Sequence, residues 1–173
     1  MSTSLALVRP HLHQYPLRRR PSSGRRQPRP DEVAFYKFAR RLFPSTRYEP
    51  ETLETARGNN GQLIEAISPD LFVPEVNVFL ELTQCDKFLE AADLPEEIQH
   101  KNTASSQSHL PHISPAEYLA RKQAKINRAE YVHGVHIILL QGALQDEILG
   151  RSELLAELIS AKLGPSRPLL RLA

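Results

Sequence analysis

Asp70 and Glu81 lie inside the otherwise largely apolar stretch from Ser68 to Thr83, a setting in which carboxylates are rarely buried without a partner. The stretch reads as two short strands joined by a tight turn centred on Glu75-Val76. That turn sets Pro74 opposite Asn77, Phe72 opposite Phe79, and Asp70 opposite Glu81. Facing side chains of an antiparallel pair lie roughly 5 Å apart at Cβ. Two carboxylates at that separation repel unless a proton or a cation comes between them. A divalent cation such as Mg²⁺ takes oxygen ligands, commonly from one or two carboxylates. The expected chemistry is therefore that of a carboxylate-held Mg²⁺ or Mn²⁺.

The elements around this hairpin follow in order. Asp31 to Phe43 is expected to be a helix, with Asp31 and Glu32 favouring the positive end of its dipole and Pro44 stopping it. Residues 46–54 read as a strand. The Asn60-Gly61 step is a strong hairpin signal, and residues 62–73 then form the strand that enters the central turn. The third strand is 77–83. Residues 84–92 read as a short helix and 94–113, rich in Ser, Asn, Pro and His, as a flexible loop. Ser114-Pro115-Ala116-Glu117 announces a helix by a capping box with proline at its first position. It runs to about Val132 and carries Arg121, Lys122, Lys125 and Arg128, with Lys122 and Lys125 three apart on one face. Gly134 ends it. The apolar run 135–141 suits a buried strand. Residues 143–163 are helical, broken near Gly150 with Ser152 capping the second part, and Gly164-Pro165 closes them. Residues 164–173 are a loose tail.

The chain is 173 residues long with a formal net charge of +2, and that total hides an asymmetry. Residues 1–30 hold seven arginines, five prolines and no acid, whereas the remainder holds 15 basic and 20 acidic residues. Such an arm cannot bury enough apolar surface to fold alone and is expected to be disordered. Arg18, Arg19, Arg20, Arg25 and Arg26 make it a candidate nucleic-acid arm. Its arginines, its serines and its lack of acids also fit an organelle transit peptide. One cysteine, Cys85, excludes an internal disulfide and fits a reducing, cytoplasmic setting. No apolar run approaches the ~18 residues of a membrane span. The organisation is thus a basic arm (1–30), an α/β domain (31–163) and a tail (164–173).

A leading helix with Glu32, then Tyr48-Glu49-Pro50, Pro69-Asp70 and Glu81-Leu82-Thr83, then a basic helix and an apolar strand, resembles the restriction-endonuclease-like superfamily over about residues 31 to 141. The signature of that superfamily is a Pro-Asp step followed by Glu-x-Lys on the next strand. The eleven residues from Asp70 to Glu81 suit its short-hairpin members. The resemblance implies a small α-β-β-β-α-β core, here with a C-terminal helix. It also implies Mg²⁺-dependent cleavage of DNA phosphodiesters, with Asp70 and Glu81 as metal ligands and Glu32 supporting the metal or its water. The family's lysine position is Thr83 in this chain. Lys87, Lys122 and Lys125 are the candidates to replace it.

Other readings compete. With Thr83 at the lysine position and a net acidic domain, a nuclease-like fold that binds or scaffolds without catalysis is the first alternative. A salt bridge from Glu81 to Lys122, Lys125 or Arg128 would be its structural counterpart. The second is a helical interaction module whose stripe of Leu144, Ile148, Leu154, Leu155, Leu158, Ile159 and Leu163 meets a partner, although such stripes usually serve the protein's own core. The pairs His109/His112 and His133/His136, with a single cysteine, do not make a zinc set. No phosphate-cradling glycine loop and no Gly-x-Ser-x-Gly elbow is present, which leaves kinase, dehydrogenase and serine-hydrolase readings without support.

Overall fold

The computed structural model describes residues 16–21, 28–48, 50–84 and 114–164. Among them are seven strands in two sheets and four helices. Their order is β1 (Arg19–Pro21), α1 (Pro30–Leu42), β2 (Arg47–Tyr48), β3 (Glu51–Arg57), β4 (Leu63–Ile67), β5 (Leu71–Val73), β6 (Val78–Thr83), α2 (Pro115–His133), β7 (His136–Gln141), α3 (Gly142–Gly150) and α4 (Ser152–Leu163). One sheet runs β1-β3-β4 and the other β2-β5-β6-β7. Strands β5 and β6 are antiparallel, and β6 and β7 are parallel with α2 in the connection between them. No helix among the described residues is long and apolar enough to cross a membrane.

Strand β6 explains the layering. Its residues alternate faces with period two. Val78, Leu80 and Leu82 enter one core with Phe35 and Phe38 of α1, Ile148 of α3, and Leu155 and Ile159 of α4. Phe79 turns the other way, into a second core with Ile126 and Ala129 of α2 and with Leu53, Ile67 and Ile137. The sheet is therefore covered by α1, α3 and α4 on one side and by α2 on the other. Glu81, two residues beyond Phe79, must face α2. Each fully buried aliphatic or aromatic side chain here stabilises the fold by about 1.5–3 kcal/mol. The stripe on α3 and α4 is spent on this core, with Ile148, Leu155 and Ile159 buried.

The central turn forms in the expected register. Leu71 pairs with Leu80, Phe72 with Phe79 and Val73 with Val78. The Phe72 and Phe79 rings stack at 4.5 Å between centroids. Asn77, at φ 57°, takes the left-handed conformation that the turn requires, a region Asn tolerates better than most residues. Helix α2 begins at Ser114, whose hydroxyl accepts from the Glu117 backbone N–H at 3.2 Å. It ends at Gly134, at φ 61°.

Three expectations need correction. The strands expected at 46–54 and 62–73 are each interrupted, giving β2 and β3 on one side and β4 and β5 on the other. Pro50 and Pro69 lie at the breaks, and a proline offers no N–H to a ladder. Ser152 does not cap α4 through its side chain; it is the first helical residue, following Arg151. The arm is not without structure throughout, because β1 pairs antiparallel with β3, Arg19 opposite Leu53 and Arg20 opposite Thr52. The reason is charge. Arg19 Nε lies 2.7 Å from Glu51 and Arg20 Nε 3.0 Å from the buried Glu54, which also accepts the Arg18 backbone N–H at 3.1 Å. Residues 85–113, which include the expected short helix and flexible loop, lie outside the described residues, as do 165–173.

Candidate active site

The break between β4 and β5 places the first acid. Continuing the ladder past Leu71 and Leu80 would set Pro69 opposite Leu82 and Asp70 opposite Glu81. Instead of a ladder bond, the Leu82 N–H donates to Asp70 Oδ2 at 2.7 Å. Asp70 is thereby buried and fixed beside β6. Glu81 is buried on the face of β6 that α2 covers, and its Oε1 lies 2.5 Å from Lys122 Nζ. Lys122 belongs to α2 and is one turn before Ile126, the residue that anchors that helix in the second core. Lys122 Nζ also donates to the Tyr118 hydroxyl at 3.5 Å and lies 5.6 Å from the centre of its ring. Arg29, Ser68, Asp70, Glu81, Leu82, Thr83, Tyr118 and Lys122 line one pocket of about 300 Å³.

The electrostatics follow from this packing. Burial pushes the Asp70 carboxyl up, the Glu81 charge adds to the rise, and Glu32 adds further. The Leu82 N–H and Lys122 oppose them, and the outcome is a pKa of about 7. Burial would lower the pKa of Lys122, but attraction and hydrogen bonding to Glu81 outweigh it and hold the ammonium form. The pocket thus combines a firmly charged lysine with a pair of acids that shares a proton up to about neutrality.

Glu32, fully buried on α1, is the third acid nearby. Its Oε2 accepts the Arg29 N–H and the Tyr48 hydroxyl, both at 3.0 Å, and its Oε1 lies 2.9 Å from the Arg29 guanidinium. Among the described residues no three His, Cys, Asp or Glu side chains are grouped as a metal cage. The remaining candidates separate clearly. Lys125 stands by Glu65, whose carboxyl is held low chiefly by its hydrogen bond to Arg128, against burial, with Lys125 adding a smaller part. Arg128 binds both Glu65 oxygens, at 2.9 and 2.6 Å. Lys87, Arg25 and Arg26 lie outside the described residues. Arg19 and Arg20 face Glu51 and Glu54, on the β1-β3 edge. His133 Nε2 bonds the Glu54 carbonyl at 2.8 Å, an interaction within the fold.

The chemistry read from the sequence did not include Tyr118 or Arg29, and Tyr48 entered only through the Tyr48-Glu49-Pro50 step. Tyr118 was legible as the residue one helical turn before Lys122. Arg29 was legible as the residue before the helix-opening Pro30, where its N–H meets the N3 glutamate as in half a capping box. The role of Tyr48 depends on long-range packing and left no local signal. No family model, curated protein or solved structure matches this chain.

Proposed function

We propose that this chain is a Mg²⁺-dependent, nuclease-like domain that cleaves DNA phosphodiesters, in a small restriction-endonuclease-like variant of the α/β fold. The observation that carries the reading is the meeting of Asp70, Glu81 and Lys122 in one pocket. Glu81 comes from β6, Asp70 from the break just before β5, and the lysine from the helix that covers the Glu81 face. A purely structural ion pair needs one acid for one lysine. Here a second buried acid is held against the first, at a cost visible in its raised pKa. A divalent cation would relieve that cost, and the donor set of two carboxylates fits Mg²⁺ or Mn²⁺ completed by water.

In this reading Asp70 and Glu81 hold the metal, and Glu32, fixed by Arg29 and Tyr48, supports them at one remove. When bound, the metal would supply Lewis acidity and lower the pKa of a coordinated water. Asp70 gives up its proton as the site becomes competent, which favours neutral to mildly alkaline pH. Lys122 supplies the positive charge that Thr83 cannot, beside the Glu81 oxygen and open to the pocket. Tyr118 holds the ammonium in place. The test is cleavage of plasmid DNA with Mg²⁺ or Mn²⁺ by the wild-type and Asp70→Asn proteins. Equal activity in the two overturns the assignment of the site.

A second reading has its own support. The 2.5 Å contact of Lys122 with Glu81 and the Leu82 N–H on Asp70 are internal pairings that a non-catalytic binding or scaffold module would also make. That module would bind DNA without cutting it and gain no stability from Mg²⁺.

A further inference from the structure

We propose that a groove on the outer face of α1, adjoining the carboxylate pocket, holds a single-stranded segment of nucleic acid. The groove has a volume of about 640 Å³ and is walled by Tyr36, Lys37, Arg40, Arg41, Pro44 and Tyr48. Every charged residue from 33 to 48 is basic: Lys37, Arg40, Arg41 and Arg47. Among the described residues no carboxylate pairs with any of the four, and Lys37, Arg40, Arg41 and Arg47 are all exposed. This is the reverse of the rest of the domain, which is net acidic. Lys37, Arg40 and Arg41 are three and four residues apart on a helix, so their side chains share one face at roughly 5–6 Å spacing.

Rings are set among these cations. Tyr36 and Tyr48 are tilted against each other with centroids 5.9 Å apart, and the Arg40 guanidinium lies 5.8 Å from the Tyr36 centroid. Cations for a backbone beside aromatic faces for bases are the pairing that recognises single strands, whose unstacked bases expose a π-face. In a duplex the bases are already stacked on each other. An acidic peptide would use the cations but not the rings.

The groove also leads to the pocket. Tyr48 lines the groove and its hydroxyl holds Glu32 Oε2, while Arg29 lines the carboxylate pocket and its guanidinium holds Glu32 Oε1. The Glu32 carboxylate thus joins one wall residue of the groove to one of the pocket. A strand lying along α1 would pass from the Arg40-Arg41 end toward Asp70 and Glu81. Only this last direction rests on the nuclease reading; binding in the groove does not.

The test is fluorescence anisotropy of a labelled oligopyrimidine with the full-length protein in EDTA, so that no strand is cut. The comparison is wild type with the triple variant Lys37→Gln, Arg40→Gln, Arg41→Gln, with thermal melting to check that these exposed substitutions leave the fold intact. Loss of three phosphate contacts should reduce the slope of log affinity against log salt by about 2, at ~0.7 per contact for single strands. It should weaken binding at least about tenfold at ~0.1 M salt. In a folded Tyr36→Leu protein the oligopyrimidine should bind several-fold more weakly, while an abasic oligonucleotide should be unaffected. Unchanged affinity and slope in the triple variant overturn the proposal. So does equal loss of the base-bearing and abasic strands in Tyr36→Leu, or displacement by poly-glutamate as effective as displacement by unlabelled strand. Because the readout is binding without metal, a protein that never cuts DNA can still pass or fail this test.

Discussion

Replacing Asp70 by Asn should change how stability depends on pH, and the size of the change follows from the site. The carboxyl has a pKa of about 7 in the folded chain against 3.8 without perturbation. The folded state therefore holds a proton that the unfolded state has lost, between those two values. Stability from this proton is complete below the lower value and is lost as pH rises through the upper one. From about pH 5 to about pH 8 the loss amounts to roughly 3 kcal/mol. Asn keeps an oxygen to accept the Leu82 N–H and carries no charge to repel Glu81, so the variant has no such loss. Urea denaturation at the two pH values measures it: the stability of Asp70→Asn relative to wild type should grow by about 3 kcal/mol toward the alkaline end. Glu54, Glu65 and Glu75 have lowered pKa values, so their linkage acts on the acid side of this window and is common to both proteins. If the proposed function holds, adding Mg²⁺ at about 100 times its dissociation constant should return about 2.7 kcal/mol to the wild type at alkaline pH and nothing to the variant. Parallel pH curves for the two proteins would refute the claim that Asp70 is held buried beside the Glu81 charge.

Lys122→Ala should cost about 3–5 kcal/mol at neutral pH, because it leaves the Glu81 charge buried beside Asp70, and much less near pH 5, where a proton can take its place; denaturant midpoints at the two pH values check this. Lys125→Ala, which touches neither acid, should leave the proposed DNA cleavage within about twofold of wild type and stability within about 0.5 kcal/mol. Glu54→Gln should release β1 by weakening its hold on Arg20 and on the Arg18 N–H, and limited trypsin digestion should then cut after Arg18 and Arg19 faster than in the wild type, while an unchanged near-ultraviolet circular dichroism spectrum shows that the aromatic packing is kept. Gly134→Ala should destabilise the protein by about 1 kcal/mol, through backbone strain at φ +61° alone, since a Cβ there would meet nothing within 4 Å.

Much of this fold was legible because its signals are local. Asp31, Glu32 and Pro44 bracket α1, Ser114 and Gly134 bracket α2, and the stack of Phe72 on Phe79 follows from counting outward from the turn. The same count put Asp70 opposite Glu81; the ladder stops at Leu71 and Leu80, and the two acids meet in one pocket beyond it. What was not legible is set by contacts distant in sequence. The fixing of β1 depends on Glu51 and Glu54, more than thirty residues away from the arginines they bind. A basic, proline-rich segment has no periodicity to announce such a strand. The carboxylate hydrogen bond of Asp70 depends on where β4 breaks, and a Pro-Asp step is compatible with either a turn or a strand start.

The choice between Lys122 and Lys125 lies between these extremes. Spacing alone puts both on one side of α2, but the helix is turned by what it buries. Ile126 and Ala129 go into the second core, and Lys122, one turn before Ile126 and two turns before Ala129, lies at the end of the same line, whereas Lys125, one turn before Ala129 alone, falls to one side of it. Lys122 is thus on the edge of the buried stripe, reaching Glu81, while Lys125 and Arg128 fall on the adjacent stripe by Glu65. In the proposed reading this arrangement has a consequence. A lysine at position 83 would be fixed to the acids by the strand itself. A lysine on α2 is in place only while α2 is docked, so the completeness of the site is tied to the packing of Ile126 and Ala129 against Phe79. The charge of Lys122 in turn draws α2 onto Glu81. Assembly of the site and closure of the second core are, on this geometry, one event.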